Sequence, residues 1–382
     1  MKRLKKKYSF LVRLGMTATV LLLTQHALAA GTTAGTDVDN LAIVNYEVGG
    51  TAQTLIESSP TGNDVPGTTN GTATSFEVDN RVDFTLTQVG AAHTTVSPGD
   101  MDAFVEFTLS NDGNSPMDFR LVATQLGSGD GAVNTLVDTD DDMANVRVRV
   151  GNGGGVPVLG DLDYVDEIAE DDTVTIYVFA DAGLLLGNGD IANLELEATA
   201  AAAGVASTLG ADLVDDAGSA DDPATVDIVF ADGVVTPPGL GDGVESDRDG
   251  FEVSSAELEI TKVATVLDDP FNGTTNPKAI PGATVEYVIT VDNAGALDAD
   301  NVVITDAIDT DVNMIADAYA GDDVEIVNNA VTVTPCNTDA LDADNDGCAL
   351  DGQNLTIGDP TDLPLTVAAG TIMTITYRVT IP

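Results

Sequence analysis

Tryptophan is absent from this 382-residue chain, and aromatic residues make up only 4% of it. Packing therefore falls to Val, Ile, Leu, Thr and Ala, which suit half-buried strands. Hydrophobic content is still 43%, so cores form and wholesale disorder is excluded. Histidine occurs only at 26 and 93, and His93 lies in a Gly/Ala/Thr stretch that reads as free surface. No Gly-x-Ser-x-Gly elbow, no His/Cys cluster with zinc spacing and no Gly-x-x-x-x-Gly-Lys loop is present. Paired carboxylates occur throughout, so they do not single out a glycosidase. The expectation is a protein that is not an enzyme.

Basic residues are scarce and unevenly placed. Six of the fourteen, Lys2, Arg3, Lys5, Lys6, Lys7 and Arg13, fall in the first thirteen positions, and none of the 63 Asp and Glu falls in the first thirty. Met1 to Arg13 is a basic head, Leu14 to Leu23 an apolar core, and Ala27-Leu28-Ala29 a small-residue cleavage site, which together read as a Sec-type signal peptide over 1–29. An uncleaved anchor is the alternative, but the apolar core is short for a membrane span. No cysteine follows the cleavage site and no later run reaches about 18 apolar residues, so neither a lipid anchor nor a membrane span is expected after cleavage. Beyond residue 30, eight bases face 63 acids, a formal charge of −55. That charge disfavours nucleic acid and anionic membranes as partners and attracts cations. Salt screens it over roughly 3–8 Å.

The remaining length, about 350 residues, fits two or three domains. Thirty-eight glycines and fifteen prolines punctuate it. Residues 30–89 form a strand-bearing segment, in which Ala42, Val44, Tyr46 and Val48 alternate with Ile43, Asn45 and Glu47 as in a half-buried strand. Residues 90–235 carry evenly spaced strand patterns, such as Val105, Phe107 and Leu109 against Glu106 and Thr108, and read as a β-sandwich. Ala200 to Ala203 suits a helical turn, which Gly204 breaks. Residues 236–255, with Pro237-Pro238 and several glycines, read as a linker. Residues 256–382 restart the strands. A weak repeat joins the two strand-rich parts. Pro98-Gly99 precedes Val105–Leu109 and Asn111-Asp-Gly113, as Pro281-Gly282 precedes Val285–Ile289 and Asn293-Ala-Gly295.

Several segments match a known pattern in order. These are Leu258-Glu-Ile-Thr-Lys262, Asn272 to Gly282, Val285 to Gly295 and Ala299-Asp-Asn-Val-Val-Ile-Thr-Asp306. They resemble the conserved-repeat domain of bacterial and archaeal surface proteins, catalogued as domain of unknown function eleven (DUF11). The opening Gly35-Thr36 and Asn40 to Tyr46 also look like the start of proteins carrying that repeat. The resemblance covers about 256–382 and implies an immunoglobulin-like sandwich in secreted or wall-associated proteins, with no family active site. The fold expectation is all-β, with tandem immunoglobulin-like sandwiches after a cleaved signal peptide.

Few residues carry candidate chemistry. Cys336 and Cys348 are the only cysteines and read as a disulfide in an exported protein, with metal-binding thiols or a redox pair as alternatives. Between them, Asp342-Ala-Asp344-Asn-Asp346-Gly347 has the spacing with which calcium loops turn alternate oxygens inward, or it is a solvated acidic turn. The twelfth position is Gln353 rather than Glu, with Asp339 or Asp351 as substitutes. Asp138, Asp140 and Asp142, and Asp247 with Asp249, are weaker calcium candidates. Lys262, with Asn293 and Asp306, is a candidate intramolecular crosslink; otherwise Lys262 covers apolar surface and pairs with an acid.

The reading is a secreted or cell-surface structural or adhesive protein, with calcium as a candidate cofactor of its acidic loops. Its partners would be other surface or matrix proteins, or further copies joined into filaments through a donated strand near Asn40–Val48. A soluble carbohydrate-binding module is the alternative, and a hydrolase a distant third.

Overall fold

The computed structural model describes residues 31–139, 142–151, 156–157, 161–216, 218–232, 241–339, 342–343 and 345–382, with backbone alone at 332–335. The expected signal peptide lies outside the described residues. Every regular element among them is a β-strand, as the alternation predicts. In Ala103–Asn111, Val105, Phe107 and Leu109 are buried and the residues between them are not. Successive side chains on a strand point to opposite faces, so this pattern puts one face against a core.

Two sandwiches follow one another, in agreement with the all-β expectation. The first has a four-stranded sheet, ordered Ala144–Val150, Thr173–Asp181, Ala103–Asn111 and Phe84–Gln88. Its second sheet is ordered Tyr164–Ile168, Met117–Gln125, Ile191–Ala202, Val244–Val253 and Thr94–Val96. Phe84, Phe107, Phe119, Leu194, Leu196 and Phe251 fill the layer between them. The main sheet of the second sandwich is ordered Leu258–Asp268, Thr284–Asn293, Thr371–Thr380, Val324–Asn328 and Val331–Cys336. Facing it are Ala299–Val302 with Leu365–Val367, and Ile304–Ala307 with Asn354–Ile357 and Cys348–Asp351. Tyr377, Ile375, Ile326 and Leu355 are fully buried between these layers.

The sequence repeat is realised down to single hydrogen bonds. Gly99 N–H donates to Ala182 O at 3.1 Å, and Gly282 N–H to Ile381 O at 2.7 Å. Both glycines have positive φ, at 90° and 87°, which explains the Pro-Gly pair at each site. Asn111 and Asn293 are fully buried. Asn111 Nδ2 donates to Ser115 O and Ile168 O at 2.9 and 3.0 Å while its Oδ1 accepts from Gly113 N–H. Asn293 Nδ2 donates to Leu297 O and Val367 O at 2.8 and 2.9 Å while its Oδ1 accepts from Gly295 N–H. Each amide thus ties one sheet to a strand of the opposite sheet.

Four expectations are corrected. The proposed linker 236–255 contains Val244–Val253, a strand paired with Ile191–Ala202 and, in parallel, with Thr94–Val96. Gly250, one of the glycines of that stretch, is a packing glycine: a Cβ there would meet Ala192 O and Asn193 Oδ1 at 2.7 Å. The first sandwich begins before residue 90, because Phe84–Gln88 is part of its four-stranded sheet. Ala200 to Ala202 end a strand and form no helical turn.

The fourth correction concerns Asn40–Val48, which is no half-buried strand. It breaks into short ladders, Ile43–Val44 with Ile56–Glu57 and Glu47–Val48 with Thr51–Ala52, and Leu41, Ile43, Val44, Tyr46 and Val48 are exposed. The residues just before it are tied to the first sandwich by Asn114, whose Nδ2 donates to Thr32 O and Asp79 O.

Candidate functional site

The acidic residues divide by environment. Asp138 is buried and accepts from Asn193 N–H at 2.6 Å, whereas Asp142 is exposed and Asp140 lies outside the described residues. Asp247 and Asp249 sit on a strand instead of a turn, and burial pushes the Asp249 carboxyl up. A further group that sequence spacing does not reveal joins Asp79, Asp221 and Asp227, whose carboxylate oxygens lie within 4.8 Å of one another. Burial first, then Asp79, raises the Asp227 carboxyl.

His93 is not a free surface residue. It is 8% exposed, and its Nε2–H donates to Asn193 Oδ1 at 2.6 Å. The direction follows because Asn193 Nδ2 is itself a donor, to Leu136 O. The parallel pairing of Thr94–Val96 with Phe251–Val253 carries the preceding His93 into the sheet.

Cys336 and Cys348 form a disulfide with Cα atoms 5.8 Å apart, so they are not metal ligands. Each lies at the end of a strand, one in each sheet, so the bond staples the two layers. In the loop it closes, Asp342 Oδ1 accepts from the N–H groups of Asp346 and Gly347 at 2.9 and 3.1 Å. Asp346 accepts from Asn337 and Cys348 N–H groups, and Asp339 from that of Ala343. Asp344 lies outside the described residues. Among the described residues, these carboxylates accept from the loop's own backbone.

Asp269 shows the same device at a turn of the second sandwich. It is 4% exposed and accepts from the backbone N–H groups of Asn272, Phe271 and Lys278 and from the Asn272 side chain. These donors, Asn272 N–H foremost, pull its carboxyl down to about 2. A carboxyl lowered on folding stabilises the fold fully above its unfolded pKa of about 3.9 and loses that contribution as pH falls. Asp269→Asn is therefore expected to lower the unfolding midpoint at pH 7. The gap to the parent chain should close between about pH 4 and pH 2. A gap unchanged across that range would remove the charge from the explanation.

The open flank of the second sandwich is the strongest candidate surface. Leu258–Asp268 pairs only with Thr284–Asn293 among the described residues, which leaves its other backbone edge without a strand. Ile260 is opposite Val291 and Lys262 opposite Ile289, and both partners are core residues. Ile260 therefore points to the core side of its sheet, yet it is 62% exposed, and Leu258 is 49% exposed. The facing sheet does not extend over them. Long exposed edges of this kind are templates for another strand.

Lys262 crosses the flank. Its Nζ lies 2.6 Å from an Asp306 carboxylate oxygen and 4.5 Å from the Tyr287 ring centre, so the stem covers aromatic surface. Tyr377 Oη donates to the same carboxylate at 2.5 Å. Burial first, then Asp306, pushes the Tyr377 phenol well above its ordinary value. Lys262 and Asp306 thus meet as expected, but Asn293 does not join them. It stands opposite Leu258, four positions along the ladder, with its amide bonded elsewhere. The geometry does not assemble the crosslink.

No protein-family model and no curated protein matches the chain. Among solved structures, the chain is similar to "BspA_C_WT", at 8% identity over 78% of this chain and 91% of that one, with a TM-score of 0.32. It is also similar to AvmM, described as catalysing macrocyclization in alchivemycin A biosynthesis, at 14% identity over 48% and 93%, with a TM-score of 0.22. A third is the CFA/I adhesin CfaE of enterotoxigenic E. coli, at 8% identity over 78% and 77%, with a TM-score of 0.18. Overlaps this low carry nothing about function to the present chain. No helix among the described residues is long and apolar enough to cross a membrane.

Proposed function

We propose that this is a secreted or cell-surface structural protein whose copies join by β-strand pairing. The observation that carries the reading is the uncovered edge Leu258–Asp268, with Leu258 and Ile260 exposed on its core side. The partner we assign is residues 41–48 of a second copy, where five apolar side chains are exposed and the backbone is held by two-residue ladders and a few single hydrogen bonds. Isolated two-stranded ladders are marginal, so their exchange for a longer pairing costs little. Export rests on the basic-apolar-small pattern of 1–29. The likeness of 256–382 to surface-protein repeats supports the same setting, and a high acidic charge suits assembly in salt or calcium, where repulsion is screened.

Electron microscopy and light scattering of the chain lacking 1–29 test this. Filaments or concentration-dependent oligomers are expected at about 100 µM, with calcium promoting them by screening the acids. Ile260→Lys and Val44→Lys, both at exposed positions, should each weaken assembly at least about tenfold without lowering the melting temperature. Monomers alone, with calcium present, would end the proposal. Equal assembly with calcium and with a chelator would remove calcium and leave strand pairing standing.

The carbohydrate reading is less well supported. The aromatic cluster outside a sheet, Phe104, Tyr177 and Phe179, offers little ring to a sugar, because Tyr177 and Phe179 are 9% and 8% exposed.

A further inference from the structure

Basic side chains are rare enough here that each one's partner is informative. Six of the eight beyond residue 30 form ion pairs: Arg81, Arg120, Arg147, Arg248, Lys262 and Arg378. Arg149 forms none among the described residues, although acids outnumber bases more than fourfold in the chain. Its Nη1 donates to Val148 O at 2.6 Å, and its Nε is buried with no hydrogen-bond partner. A half-buried guanidinium with no ion pair among the described residues and a buried, unpartnered Nε is unusual in such surroundings.

Arg149 lines a cavity of about 770 Å³ on the outer face of the four-stranded sheet, a size that suits a small organic molecule. The register explains the lining. Arg147 stands opposite Phe179 and Arg149 opposite Tyr177, and Phe179 and Tyr177 stand opposite Phe104 and Glu106. Phe104 packs on Phe179 and Tyr177 with ring centres 5.5 and 5.4 Å apart. Met101, 74% exposed, adds an apolar wall. Arg147 is already committed: it pairs with Asp102 and Asp181 and lies over the Phe179 ring. The charges of Arg147 and Arg149 against Asp102 and Asp181 cancel locally, with Glu106 beyond the Tyr177 ring.

We propose that this cavity binds a small monocarboxylate with an apolar body, held by Arg149 and laid against Met101, Phe104 and Val156. The ends of a guanidinium present two parallel N–H groups that match a planar carboxylate. A dianion is disfavoured, because Asp102, Asp181 and Glu106 would repel its second charge. An apolar body is favoured because the wall beside Arg149 is aromatic and thioether surface.

Calorimetric titration of the chain lacking 1–29 with phenylbutyrate, and with phenylbutanol as its uncharged counterpart, tests the assignment. The acid should bind saturably with a dissociation constant of about 0.1–1 mM, and the alcohol at least about tenfold more weakly. Arg149→Gln should bring the acid down to the level of the alcohol. Met101→Ala, at an exposed position, should weaken both in parallel. Equal binding of acid and alcohol by the parent chain, or no saturation of the acid by about 10 mM, would overturn the proposal even if Arg149→Gln failed to fold. So would full retention of acid binding in a folded Arg149→Gln chain.

Discussion

Asn293→Ala is expected to destabilise the second sandwich by about 3–4 kcal/mol, and Asn111→Ala the first by a similar amount. Each side chain is fully buried; Asn111 carries three hydrogen bonds and Asn293 four, the fourth accepted from Glu257 N–H, and each set reaches both sheets. Alanine would leave two carbonyls without their donor at either position, and one backbone N–H at 111 and two at 293 without their acceptor. Asp is expected to be no better, because it keeps the acceptor for Gly113 or Gly295 but presents oxygen to two carbonyls. Denaturant unfolding of the parent and the two variants measures this. If the sandwiches unfold separately, each variant should shift a different transition. A loss under about 1 kcal/mol for either would mean that the amide is not a tie between layers.

Removing the disulfide by the double change Cys336→Ala and Cys348→Ala is expected to cost about 3 kcal/mol, on the basis of the 12-residue separation of the cysteines. For a domain of this size that corresponds to a fall of roughly 10 °C in the midpoint of the second sandwich. The bond joins the last residue of Val331–Cys336 to the first of Cys348–Asp351, so it limits how far the sheets part as well as how the loop explores. Calorimetry of the variant, and of the parent with a reductant, should agree. A parent chain that melts at the same temperature when oxidised and when reduced would contradict it.

Alternation was the legible part of this protein. Val105, Phe107 and Leu109, and Val285, Ile289 and Val291, announce strands with one buried face because a strand repeats every two residues, and that rule is local. The Pro-Gly turns and the paired Asn-x-Gly motifs were equally legible, since a positive φ and a strand end leave marks within a few residues. What failed were inferences that took a local signal as sufficient. Gly250 reads as one of the glycines of a linker, but it packs against Ala192 and Asn193, fifty-odd positions earlier. Residues 42–48 alternate like a buried strand, yet among the described residues Ile43, Val44, Tyr46 and Val48 stay exposed.

The candidate sites divide in the same way. The Cys336–Cys348 pair and the Lys262–Asp306 pair were readable from chemistry and spacing, whereas Asn293 as a third member was not decided until the ladder set its register opposite Leu258. His93 looked solvent-exposed because its neighbours are small, and a parallel pairing with Phe251–Val253 buried it. Sequence by itself determined the strand character, the charge and the two-sandwich repeat, because these depend on residues a few positions apart. Tertiary structure alone decided which edge stayed open and which arginine stayed outside the ion pairs of the described residues, because both depend on which distant strands lie beside them.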